Sequence, residues 1–153
     1  AHEVSETIFK NNKKSIFTET WYQFPENLVK DKNLDDWKNI LEIRGLVNKK
    51  IEELREKGMV GSSLQSVIEI GAPSEIYNSL NEFIEDLKFI FISSKVNIKK
   101  NEKLEVNVYK SEHQKCERCW HYCEDVGLDE SHKELCGRCI KNLYEDGEIR
   151  LYA

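Results

Sequence analysis

Two pairs of cysteines constrain this chain more than any other feature. Cys116 and Cys119 bracket Glu117-Arg118, Cys136 and Cys139 bracket Gly137-Arg138, and sixteen residues separate the pairs. Each Cys-x2-Cys forms a tight knuckle that turns two thiolates toward one point. Two knuckles supply four sulfurs, which suits tetrahedral Zn²⁺ with bonds of about 2.3 Å. Four protein ligands leave no position for water, so the site reads as structural and not hydrolytic. Gly137 lies inside the second knuckle, where a backbone with positive φ would be cheap. Two disulfides are a poor alternative, because five cysteines leave one over and no secretory segment precedes them. Iron also takes four thiolates, and composition does not separate the two metals. Cys123 is the spare, read as a packing or free thiol. His121 and His132 are weaker candidates to replace a cysteine. Ile140 and Leu143 are expected to cover the apolar side of the site.

Charge limits the partners. The chain carries 23 Lys and Arg against 28 Asp and Glu, a formal charge of −5. Residues 111–153 hold six Lys and Arg against ten Asp and Glu. A nucleic-acid contact here must rest on local geometry and stacking, not on bulk charge. No apolar run approaches the eighteen or so residues of a membrane span, so no membrane partner is expected. With no leader and reduced cysteines the expected compartment is the cytoplasm.

Before the cysteines the chain reads as α+β. Residues 2–9 resemble the last turns of a helix, and the start inside a helix suggests a fragment of a longer protein. Residues 15–22 read as an extended aromatic segment over a helical body. Trp37, Ile40, Leu41, Arg44, Val47, Asn48, Ile51, Leu54 and Arg55 recur at three and four, which predicts an amphipathic helix over 35–57, capped by Asn33 or Asp35 and stopped at Gly58. Arg44 and Asn48 read either as RNA contacts or as a polar pair bonded to neighbouring helices. The glycines near Val60 lack a phosphate-loop pattern. Val67–Ile70 reads as a strand and 74–86 as a helix. Phe89–Ile92 reads as a buried strand. Two further strands, Val96–Ile98 and Leu104–Val108, face each other across a lysine-rich turn, and 148–153 reads as a last strand. The expected divisions are 1–64, the end of a helical domain; 65–110, a small α/β connector; and 111–153, the ribbon.

Four groups of residues resemble the C-terminal end of bacterial isoleucyl-tRNA synthetases. They are Cys116-Glu117-Arg118-Cys119-Trp120-His121-Tyr122; Leu135-Cys136-Gly137-Arg138-Cys139; Ile43-Arg44 with Val47-Asn48-Lys49 and Ile51-Glu52; and Phe17-Thr18 with Trp21-Tyr22. A similar ribbon occurs in formamidopyrimidine-DNA glycosylases, but the combination and its order are specific. The resemblance implies the last part of an anticodon-binding helical bundle, a connector and a zinc ribbon. It implies one Zn²⁺ per chain on Cys116, Cys119, Cys136 and Cys139, a tRNA partner for isoleucine, and a monomeric full-length ligase. ATP is used only by a catalytic domain whose His-x-Gly-His and Lys-Met-Ser-Lys-Ser signatures do not occur here, so no catalytic residue is expected. Arg118, Trp120, His121, Tyr122 and Arg138 are the expected RNA contacts, with Trp120 either stacking on a base or roofing the metal. A stand-alone zinc-ribbon module that binds protein or DNA is the alternative; a glycosylase terminus and a rubredoxin-like iron carrier are more remote.

Overall fold

In the computed structural model of the chain, Phe17, Thr20 and residues 31–148 are described. The expectations for 2–9, for most of 15–22 and for the tail beyond residue 148 lie outside them. Helix α1 runs Asp31–Glu56. Asn33 and Asp35 therefore lie inside the helix and do not cap it. Ile40, Ile43, Val47 and Ile51 are buried at spacings of three and four, whereas Leu41 and Asn48 are exposed and Arg44 is half-buried. The buried stripe is narrower than the sequence period suggested. Trp37 meets Phe83 with ring centroids 5.4 Å apart. The helix ends as expected at Gly58, whose φ is 68°. Gly58 N–H donates to the Arg55 carbonyl and Met59 N–H to the Leu54 carbonyl, both at 2.9 Å. This paired reversal is a Schellman stop.

A three-stranded sheet follows. Strands β1 (Ser66–Ala72), β2 (Lys95–Lys100) and β3 (Glu105–Lys110) lie in the order β2-β1-β3. β2 runs parallel to β1 and β3 antiparallel to it. The two later strands do not face each other across a lysine turn; they flank β1. Pairing Ile68 with Val96 and Val108, and Ile70 with Ile98 and Val106, makes two apolar rows on one face. Two-residue alternation sends Glu69 to the other face. Helix α2 (Ser74–Glu82) supplies Leu80 to the apolar side, and the Ser79 hydroxyl donates to Asp36 of α1. The rows, Leu80, Phe83 and the α1 stripe share one core. Each fully buried Ile or Leu contributes about 1.5–3 kcal/mol by removal from water.

Phe89–Ile92 is not a strand. A short helix, α3, spans Leu87–Ile90. Phe83, Leu87 and Phe91 are the buried residues, and their spacing of four is helical. A four-residue apolar run carries no period of its own, so the flanking residues decide. The turn after α3 repeats the stop of α1: Ile92 N–H donates to the Phe89 carbonyl at 3.2 Å and Ser93 N–H to Lys88 at 2.9 Å. Here the left-handed position, φ 53°, is filled by isoleucine, where a β-branched side chain is strained.

Candidate metal centre

The first knuckle is the tip of a hairpin between β4 (Gln114–Lys115) and β5 (Tyr122–Cys123). Cys116 N–H donates to the His121 carbonyl at 2.8 Å and Trp120 N–H to the Cys116 carbonyl at 2.9 Å. The residue that turns the knuckle is Trp120, with φ 67°. The second knuckle opens helix α4 (Gly137–Tyr144), with Cys136 at its N-cap. Gly137 does not use the positive φ open to a glycine; its role is close approach. Its N–H donates to Asp125 Oδ2 at 2.8 Å, and a Cβ there would stand 2.8 Å from that same oxygen. Glu117 N–H donates to the Glu134 carbonyl at 3.0 Å, which ties the knuckles together.

The Sγ atoms of Cys116, Cys119, Cys136 and Cys139 all lie within 4.8 Å of one another. Cys119 Sγ and Cys136 Sγ are 3.7 Å apart. Bonds of 2.3 Å in a tetrahedron require about 3.8 Å between sulfurs, so this donor set fits zinc. Cys136 N–H reaches Cys116 Sγ at 3.4 Å, and Arg118 Nη1 reaches Cys139 Sγ at 3.6 Å. Such donors offset thiolate charge and orient the sulfurs. Burial pushes the Cys116 thiol up, but the backbone N–H groups of Cys119, Cys136 and Arg118 outweigh it and leave the group at about 6. Burial raises Cys136 and Cys139.

Cys123 lies outside the four-sulfur set, half-buried against it with Ile140. Leu143, expected as cover, is exposed; Val126 and Leu135 do that work instead. His132 stacks on Tyr144 at 4.2 Å and is not near the sulfurs as a donor.

The five other candidates separate. Trp120 is 59% exposed, with Lys115 Nζ 5.0 Å from its ring centroid. Arg118 is exposed beside the sulfurs. His121 is half-buried: its Nδ1 lies 3.2 Å from the Cys119 carbonyl, and burial lowers its pKa. Tyr122 N–H donates to Ser94 Oγ at 2.6 Å, and that hydroxyl in turn donates to the Leu64 carbonyl. Ser94 thus fastens the ribbon to the loop before the sheet. Arg138 does not project freely. It pairs with Glu148 at 3.4 Å and lies 4.9 Å from the Phe89 ring centroid. Among the described residues, no helix is long and apolar enough to cross a membrane.

Residues 114–142 match the model of a family described as a zinc finger found in FPG and IleRS. Over 146 residues, 94% of its length, the chain is 44% identical to isoleucine–tRNA ligase of Burkholderia multivorans and to that of Burkholderia cenocepacia, and 43% identical to that of Burkholderia ambifaria. It spans about 15% of the length of these relatives. The match is to their C-terminal region, as the motif resemblance implied.

Proposed function

We propose that the chain is the tRNA-binding C-terminal part of an isoleucine–tRNA ligase. In this reading residues 1–64 close the anticodon-binding helical part, 65–110 connect, and 111–153 form the ribbon. One Zn²⁺ sits on Cys116, Cys119, Cys136 and Cys139. The metal locks two knuckles at a fixed angle, so that the residues between and beside them hold their positions. Amino-acid activation with ATP belongs to domains outside this chain, in a soluble cytoplasmic enzyme that acts as a monomer. The observation that carries the reading is 44% identity over 94% of the chain to ligases of that name, together with a ribbon whose four sulfurs converge.

The ribbon offers RNA one open aromatic surface. Trp120 stands out of the first knuckle with a lysine beside it. An unpaired base can stack on that ring while the ammonium meets its phosphate. Arg118 adds a second exposed cation close by. Stacking of this kind contributes about 1–3 kcal/mol per base. Trp120→Ala in the full-length ligase is therefore expected to lower kcat/KM for tRNA charging by roughly 10-fold. ATP–pyrophosphate exchange with isoleucine should not change. Unaltered charging by a folded, zinc-loaded variant would sink the stacking role. Failure of the parent to charge isoleucine tRNA would sink the ligase reading itself.

A further inference from the structure

The ribbon and the sheet do not share a core. The sulfurs, Val126 and Leu135 cluster by themselves, and α1 packs with the sheet. The ribbon hangs instead on the turn Ser63–Gln65, which leads into β1. Ser111, just after β3, donates its N–H to the Gln65 carbonyl at 2.8 Å. Ser94, just before β2, donates its N–H to the Ser66 carbonyl at 3.0 Å and its hydroxyl to the Leu64 carbonyl. That hydroxyl also accepts the Tyr122 N–H, from β5, at 2.6 Å. One side chain thus joins the turn, the entry to β2 and the ribbon hairpin. Ser94 is buried, so water competes little for these bonds.

The Phe89 ring also spans the joint. The His121 ring meets it edge-on at 5.7 Å, and the Arg138 guanidinium lies 4.9 Å from its centroid. Such ring contacts hold over a range of positions. A hydrogen bond weakens steeply as its angle departs from linear, so Ser94 fixes an angle that Phe89 leaves loose. The residue before each bonded partner adds a force the other way. Ser93 Oγ and His121 Nε2 are buried and lack a hydrogen-bond partner among the described residues, which costs stability. Opening the joint to water would relieve both, and the Ser94 bonds oppose that. The left-handed turn at Ile92 delivers Ser93 and Ser94 to this place, and strain of this kind persists only where the surrounding structure holds it.

We propose that Ser94 is a positioning residue: its hydroxyl sets the angle of the ribbon to the sheet, and through it the place of Trp120. The grip is close to that ring, because Tyr122 follows Trp120 by two residues at the foot of the first knuckle. The consequence for Trp120 rests on the stacking reading above; the angle itself does not.

The angle is tested by residual dipolar couplings of the zinc-loaded chain, fitted separately for residues 66–110 and 114–144. In the parent one alignment should serve both segments. In Ser94→Ala each segment should still fit by itself, with its zinc retained, but the two should need different alignments. If Ser94→Ala does not fold, Ser94→Cys, similar in shape and a weak acceptor, takes its place. Ser94→Thr keeps a hydroxyl and should restore the single alignment. One alignment in the variant without a hydroxyl, or two in the parent or in Ser94→Thr, overturns the proposal. The consequence is tested by tRNA charging in the full-length ligase. Ser94→Ala should raise KM for tRNA, by no more than the roughly 10-fold of Trp120→Ala, and leave kcat and ATP–pyrophosphate exchange as they were. Combining Ser94→Ala with Trp120→Ala should charge no worse than Trp120→Ala alone, because the first residue acts through the second. Losses that multiply, or an unchanged KM in Ser94→Ala, overturn the route through Trp120. Failure of the parent to charge isoleucine tRNA sinks the ligase reading, while the couplings still decide on the angle.

Discussion

Cys116 and Cys123 show how position decides the fate of a thiol. Cys116 is fully buried, yet three backbone N–H groups hold its pKa at about 6. Cys123 gains no such set: burial, the Cys119 sulfur and the Asp125 carboxylate push it up to about 11. It stays protonated at neutral pH and packs as a small apolar side chain. Cys123→Ser is expected to keep one zinc per chain and to cost about 1 kcal/mol or less in stability, whereas Cys116→Ser loses the metal. Cobalt substitution checks both: Cys123→Ser should keep the strong visible absorption of a four-thiolate site, and Cys116→Ser should lose it. The convergence of the four thiols was legible because two Cys-x2-Cys pairs at this spacing predict it by themselves. The separate roles of Arg118, Arg138 and Trp120 were not, since a sequence does not say which cation meets a carboxylate in the fold.

Two turns of one design differ in cost. Gly58 and Ile92 each occupy the left-handed position after a helix. Glycine adopts it freely, and isoleucine does so against its Cβ. Gly58→Ala should destabilise the chain by about 1 kcal/mol. Ile92→Gly should instead stabilise it, by up to about 1 kcal/mol, because Ile92 is largely exposed and little packing is lost. Urea midpoints at a constant slope measure both; equal signs for the two changes would contradict the strain argument. The same elements show what sequence pattern can carry. The α1 stripe was legible because Ile40, Ile43, Val47 and Ile51 carry the helical period over three turns. α3 was misread because its run was too short to show a period. The sheet order was misread because two strands near in sequence were expected to pair, while the shared apolar rows joined each of them to β1.

For the molecule as a whole, the two cores predict separable stabilities. The sulfurs, Val126 and Leu135 form one cluster, and α1 with the sheet forms another. The first is too small to hold without its metal, because binding energy is folding energy there. Complete chelation should move amide resonances throughout 114–144 and leave those of Ile68, Ile70 and Leu80 near their native values. Unmoved ribbon shifts after verified metal loss would count against a structural zinc. The pH dependence follows from the raised Cys136 and Cys139 thiols. Both are protonated in the metal-free chain at neutral pH, so zinc must displace at least two protons. Apparent affinity therefore rises with pH and falls by about 100-fold for each unit of acidification. Competition with a calibrated chelator between pH 6 and 8 reads that slope.

The central place of β1 also has a consequence for synthesis. Ser66 must wait for Lys110, and Gly71 for Glu105, before the antiparallel edge is closed. At about 5–20 residues per second, a ribosome leaves that edge open for several seconds. During that time an apolar strand with unpaired amides is present in the nascent chain, open on both sides until β2 emerges and on one side until β3 does, a state open to mispairing with another chain. Slow translation across the residues between β1 and β3 should therefore lower the yield of soluble protein more than slow translation after them.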